Sequence, residues 1–246
     1  MSFIKPIRIE VKLIYIKLEE IVRRRFRRFL HRMLILACSH PESIKALETA
    51  SAFAKFEREH MPECPEFSTI MKHYENGLNH ATPDGLFLEF GTYKGKSMNI
   101  MGSLRPGITF HCFDSFEGLP EDWHIGVDKG TFGIDGAIPD IRPNVHPVKG
   151  WFDQTLPEFA RQHEGEKIAF MHVDCDLYSS TKTVFESLGH MIVPGTVILF
   201  DEYLSIPVEG ECEYLAFMEF LDSSGLQMEY IGQIRGHNQV ATRITA

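Results

Sequence analysis

Hydrophobic and polar positions change period twice along the chain. Residues 7–13 (IRIEVKL) alternate apolar and charged positions, which predicts a strand. From Ile14 the apolar positions fall at Ile14, Leu18, Ile21, Val22, Phe26, Phe29 and Met33, a helical spacing. Arg23, Arg24, Arg25, Arg27, Arg28 and Arg32 occupy the other face. Ser39-His40-Pro41-Glu42 punctuates the chain and starts a second helix, expected to reach about Glu59, where Pro62 and Pro65 stop it. A third helix is expected from Pro65 to about Asn79. From Gly85 the period changes again, and apolar runs of strand length alternate with helical stretches. The runs are Leu86–Phe90, Thr109–Phe113, Val145–Val148, Ile168–Val173, Val197–Phe200, Gln227–Ile231 and Val240–Ile244. Helical patterns fall near Lys96–Leu104, Thr155–Gln162, Ser179–Met191 and Glu211–Leu221. Continuous apolar strands alternating with helices predict a parallel α/β sheet covered on both faces. The organisation expected is a helical extension with a basic arm over 1–80 and an α/β domain over 81–246.

Charge sharpens this division. Residues 1–32 hold ten Lys and Arg against three acids, a net of +7; the rest hold fifteen against thirty-one, a net of −16. The acidic body argues against general nucleic-acid binding, which works by neutralising phosphates. It suits a site that gathers cations. The basic helix over residues 14–32 reads either as an arm for packing and homo-oligomer contacts or as a contact to an anionic membrane or acidic partner. The five cysteines are odd in number and form no C-x-x-C pair, which reads as reduced thiols in a cytoplasmic protein. No secretory signal pattern and no membrane-length apolar run is visible.

In a parallel sheet ligands sit beyond the carboxyl ends of the strands. The first strand runs into Glu89-Phe90-Gly91-Thr92-Tyr93-Lys94-Gly95-Lys96-Ser97, a glycine turn opening a helix. Its G-x-x-x-G spacing matches neither the dinucleotide fingerprint nor the full phosphate loop. The second strand ends in Asp114, about 23 residues after Gly91, where an acid either suits the two hydroxyls of a ribose or faces solvent and caps the next segment. Trp151 and Phe152 follow the third strand and can either bracket an adenine or sit in the core. The fourth strand ends in His172-Val173-Asp174-Cys175-Asp176, the fifth in Phe200-Asp201-Glu202-Tyr203. Four carboxylates at neighbouring strand ends repel unless a cation neutralises them, and a hard divalent ion with oxygen ligands does so. His172, inside an apolar strand, reads as a hydrogen-bonded core histidine.

Together the segments LEFGTYKGKS (88–97), FDSFEGLPE (113–121), VKGWFDQTLP (148–157), HVDCDLYSST (172–181) and GTVILFDEY (195–203) resemble the macrocin O-methyltransferase (TylF-like) family. Those are class I S-adenosylmethionine (SAM) enzymes that methylate sugar hydroxyls of bacterial natural products with a magnesium ion. The resemblance implies a Rossmann-like class I methyltransferase α/β fold, with a mostly parallel seven-stranded sheet, helices on both faces and an N-terminal helical extension, and a small-molecule hydroxyl acceptor. It implies a SAM turn from Glu89, Gly91 and Gly95, with Tyr93 and Ser97 nearby. Asp114 would hold the ribose, with Ser115 beside the adenine and Trp151 walling it. Asp174, Asp201 and Glu202 would bind Mg2+ or another divalent cation, Asp174 also bordering the SAM, and Asp176 would be the general base. Glu202 stands where the family often has Asp, one methylene longer but still an oxygen ligand. The Gly- and Pro-rich connection 115–144 is expected to cover the acceptor. Two other readings stay open: a magnesium-dependent phosphatase of haloacid-dehalogenase type, using Asp174-x-Asp176 and Asp201, and a non-catalytic binding protein on the same fold. The first leaves the glycine turn and Asp114 without a role.

Overall fold

The computed structural model describes residues 25–33, 35–36, 41–123, 126–203, 212–234 and 238–246. The expected strand over 7–13, and the part of the basic helix before residue 25, lie outside the described residues. The chain divides into two compact units, Met1–Ser51 and Ala52–Ala246. In the first, residues 25–33 are helical and exposed. Helix α1 (Pro41–His60) begins there and runs on into the second.

In the second unit come α2 (Ile70–His80), β1 (Leu86–Phe90), α3 (Lys96–Leu104), β2 (Phe110–Asp114), β3 (Val145–Lys149) and α4 (Phe152–Gln162). They are followed by β4 (Ile168–Val173), α5 (Tyr178–Leu188), β5 (Ile192–Phe200), α6 (Glu213–Ser224), β6 (Gln227–Ile234) and β7 (Gln239–Thr245). Helix α2 starts five residues later than the sequence pattern suggests, because the Thr69 hydroxyl caps it by accepting the Lys72 N–H. The pattern expected α5 to reach Met191; Gly189–Met191 is a turn of 3-10 helix instead.

The seven strands form one sheet in the order β3-β2-β1-β4-β5-β7-β6. The first five strands pair in parallel; β7 lies antiparallel between β5 and β6. Alternation within each apolar strand feeds both faces. Leu88 and Phe90, Ile198 and Phe200 pack on one side with Phe185 and Phe217 of α5 and α6. Phe87, Phe170, Val197 and Leu199 pack on the other with Tyr74 of α2 and Met98 of α3. This covering explains why the strands read as unbroken hydrophobic runs. Among the described residues no helix is long and apolar enough to cross a membrane. Cys64, Cys112, Cys175 and Cys212 are free.

Candidate active site

Chain order reverses on either side of β1 and β4, and the strands' carboxyl ends open there into a cavity of about 670 Å³. That is within the range of small-molecule sites. The turn after β1 is built by close approach. Gly91 has φ of 88°, and a Cβ there would lie 1.8 Å from the Asp174 carbonyl oxygen, so only glycine fits. The Gly91 N–H donates to the Phe113 carbonyl at 3.0 Å, and the Asp174 N–H to Phe90 at 2.9 Å. The Asp201 N–H reaches the Val173 carbonyl at 2.9 Å. These bonds continue the parallel ladder one residue past the strands and set Asp174 and Asp201 side by side.

Asp114 holds the same turn from below. Its Oδ2 accepts the N–H groups of Thr92 and Tyr93 at 2.8 and 2.7 Å, and its Oδ1 accepts that of Phe116 at 2.6 Å. Charge-assisted bonds of this kind are about twice as strong as neutral ones. The carboxylate therefore orders the loop and still lines the cavity.

Phe152 lines this cavity beside Trp151, and of the twelve site residues that the resemblance implied, nine line it: Gly91, Tyr93, Asp114, Ser115, Trp151, Asp174, Asp176, Asp201 and Glu202. Three do not. Gly95 caps α3 with φ of 73°. Ser97 lines a second cavity of about 490 Å³, which shares Tyr93, Asp174 and Asp201 with the first. Glu89 is wholly buried beneath the turn, accepting Ser97 Oγ at 2.5 Å, with its other contact to His172 Nδ1 at 3.0 Å. His172 is 1% exposed and hydrogen-bonded, as its apolar strand suggested. It also belongs to the one metal-compatible cluster found among the described residues: His172, Asp174 and Asp201 offer ligand atoms within 4.8 Å of one another. Glu202 stands outside that group and accepts Asn238 Nδ2 at 3.4 Å.

The electrostatics are those of uncompensated negative charge. Burial, then Asp201 and Glu89, push the Asp174 carboxyl well above the usual carboxylate range. Burial, then Glu202, Asp201 and Asp114, raise Asp176 to about 7. Burial raises Glu202 to about 7, with Asn238 opposing and Asp201 adding. Among the described residues no Lys or Arg forms an ion pair with these acids. Asp176 has φ of 63°, an uncommon conformation for a side-chain-bearing residue, and the turn it makes aims the carboxyl at the strand-end acids.

Sequence reasoning missed Glu213. It sits in the first turn of α6, fully buried, with Oε2 accepting the Glu202 N–H at 3.3 Å and Oε1 without a partner. Burial and the charges of Asp176, Asp201 and Glu202 hold its carboxyl well above the usual range. Tyr74 of α2 and Gln239 of β7 also reach the acids. The phenol of Tyr74 is pushed up by burial and by Asp201 and Asp174, and the Gln239 amide donates to Asp201 Oδ1. No local motif marks these three.

Residues 88–203 match a family model described as "Methyltransferase domain". CalS11, a calicheamicin methyltransferase, superposes on 83% of this chain and 93% of its own with a TM-score of 0.58 at 18% identity. The fold is that of a class I methyltransferase. Two curated relatives align with this methyltransferase fold. One is an 8-demethyl-8-(2,3-dimethoxy-alpha-L-rhamnosyl)-tetracenomycin-C 4'-O-methyltransferase of Streptomyces olivaceus, 28% identical over 48% of this chain and 53% of that protein. The other is the demethyldecarbamoylnovobiocin O-methyltransferase of Streptomyces niveus, 26% identical over 60% and 64%. The chain thus spans between half and two thirds of the length of the curated relatives it matches.

Proposed function

We propose that this chain is a SAM- and divalent-metal-dependent O-methyltransferase of the macrocin (TylF-like) kind, acting on a sugar hydroxyl of a small molecule. One observation carries the reading: an Asp114-ordered glycine turn and a set of unneutralised strand-end acids open onto one cavity. Both relatives named above are O-methyltransferases, and the name of one specifies a rhamnosyl-bearing substrate. The phosphatase reading leaves the Asp114-held turn without a role.

The residues present fit both implied groups. Asp114, Ser115 and Trp151 line the cavity and suit a nucleoside, and Gly91 lines the same cavity beside them. Asp174 and Asp201, whose ligand atoms already lie within 4.8 Å, would hold the cation, with Glu202, outside that group but lining the same cavity, completing the set as the resemblance implies; the orphaned Oε2 of Glu89 and Oε1 of Glu213 lie buried beside them. SAM supplies an electrophilic methyl group and the cation supplies Lewis acidity toward a bound hydroxyl. Asp176, two residues beyond Asp174 and on the cavity side, would accept the acceptor hydroxyl's proton at its carboxylate. Leu119, Pro120, Trp123 and Phe132 from the 115–144 connection wall the cavity and exclude water from the reacting atoms.

Isothermal titration calorimetry with SAM and, separately, NAD+ tests the cofactor, and methyl transfer from labelled SAM to a panel of rhamnosyl glycosides tests the reaction. Heat with SAM alone, and transfer that stops on chelation and returns with magnesium, is expected. Absence of SAM binding overturns the reading; full transfer after exhaustive chelation removes the metal and leaves the methyl transfer.

A further inference from the structure

The helical stretch at residues 25–33 and 35–36 contributes none of the residues that line the cavity. Phe26, Phe29, Leu30 and Met33 are 59, 58, 50 and 51% exposed, although side chains of this kind are usually buried. At about 100° per residue they fall within one arc of roughly 100°. Arg25 and Arg32 border one edge of the arc, Arg27 the other, and Arg28 and His31 lie opposite; the stretch has no acidic residue. We propose that this helix is an interfacial docking element for an anionic lipid surface.

The charge pattern selects that occupant. As the apolar arc enters the acyl boundary, the arginines on its two edges stand at headgroup level, where long side chains snorkel to phosphate. A nucleic acid would leave the apolar arc in water. Pairing two such arms through their arcs would set their arginine rows side by side, with like charges repelling. The net +7 of residues 1–32 against −16 for the rest also places the anion-seeking charge on this arm alone.

The experiment mixes the full chain with vesicles of phosphatidylcholine alone or of equal phosphatidylcholine and phosphatidylglycerol and separates them by flotation. Binding to the anionic vesicles only, weakening in high salt, is expected. In R25Q/R27Q the partition coefficient should drop about fivefold per charge removed. F26S/F29S should lose binding to anionic vesicles, with SAM affinity unchanged in both variants as the check on folding. Equal partition to both vesicle types, no partition to either, or full binding by F26S/F29S overturns the proposal. So does a concentration-dependent dimer in sedimentation velocity without vesicle binding, which would assign the apolar arc to a second copy of the chain.

Discussion

Asp201→Asn tests most directly whether the strand-end acids form a cation site. The substitution keeps an oxygen for the Gln239 amide and removes one charge that pushes up Asp174, Asp176, Glu202 and Glu213. Ligand atoms of Asp174 and Asp201 lie within 4.8 Å. Two ionised oxygens at that separation repel by about 3–4 kcal/mol at an effective dielectric constant of about 20. Protonation of Asp174 limits what is actually felt, so removing the charge should stabilise the metal-free protein by about 2 kcal/mol at pH 8. For a chain of this size that raises Tm by about 4–8 °C. The pH dependence has a fixed sign. Asp176 is held at about 7, above its unfolded value of 3.8, so its contribution is fully present below that value. It is lost as pH rises toward 7 and stays lost above, and Asp201→Asn should flatten this decline. Magnesium should act unequally on the two proteins. At a hundred times its dissociation constant it stabilises the wild type by about 2.7 kcal/mol, and the variant should gain little. Thermal unfolding by circular dichroism at pH 5 to 8, in chelator and in magnesium, reads all of this. A variant that melts below wild type in chelator at pH 8, or one that keeps the wild-type magnesium shift, would refute the reasoning.

Two further outcomes follow from the same geometry. Asp176→Asn keeps the shape of the turn but cannot take a proton, so kcat should fall about 10²–10⁴-fold while SAM and magnesium affinities hold; restoration by added magnesium would exchange its role with that of Asp174. Gly91→Ala drives a Cβ to 1.8 Å from the Asp174 carbonyl oxygen at a φ of 88°, so urea unfolding should show a loss of about 3 kcal/mol or more; an unchanged midpoint would mean the turn moves freely.

The sequence by itself determined the seven strand sites, the α3 span Lys96–Leu104 and the acids at the strand ends, because burial on two faces and residue chemistry both leave local patterns, but it missed that β5 starts five residues earlier, at Ile192, and that β6 runs on to Ile234, where the apolar run is broken by Pro194, Gly195, Gly232 and Gln233. Gly91 was legible as a turn residue, but the carbonyl it must clear belongs to Asp174, 83 residues away in the chain. Strand order and the antiparallel insertion of β7 were decided only in the tertiary structure, since periodicity states which face of a strand is buried and not which strand lies beside it. The same reason hid the convergence of Glu213, Tyr74 and Gln239 on the site, each carried there by an element whose own pattern is that of ordinary packing. It also hid where Glu89 and Asp114 spend their carboxylates. Both sit at strand ends as the pattern suggests, yet Glu89 turns inward to His172 and Ser97, and Asp114 binds three backbone N–H groups of the loops around the cavity. Which partner a buried charge finds depends on what the fold brings within about 3 Å of it, and that is a property of the packed chain alone.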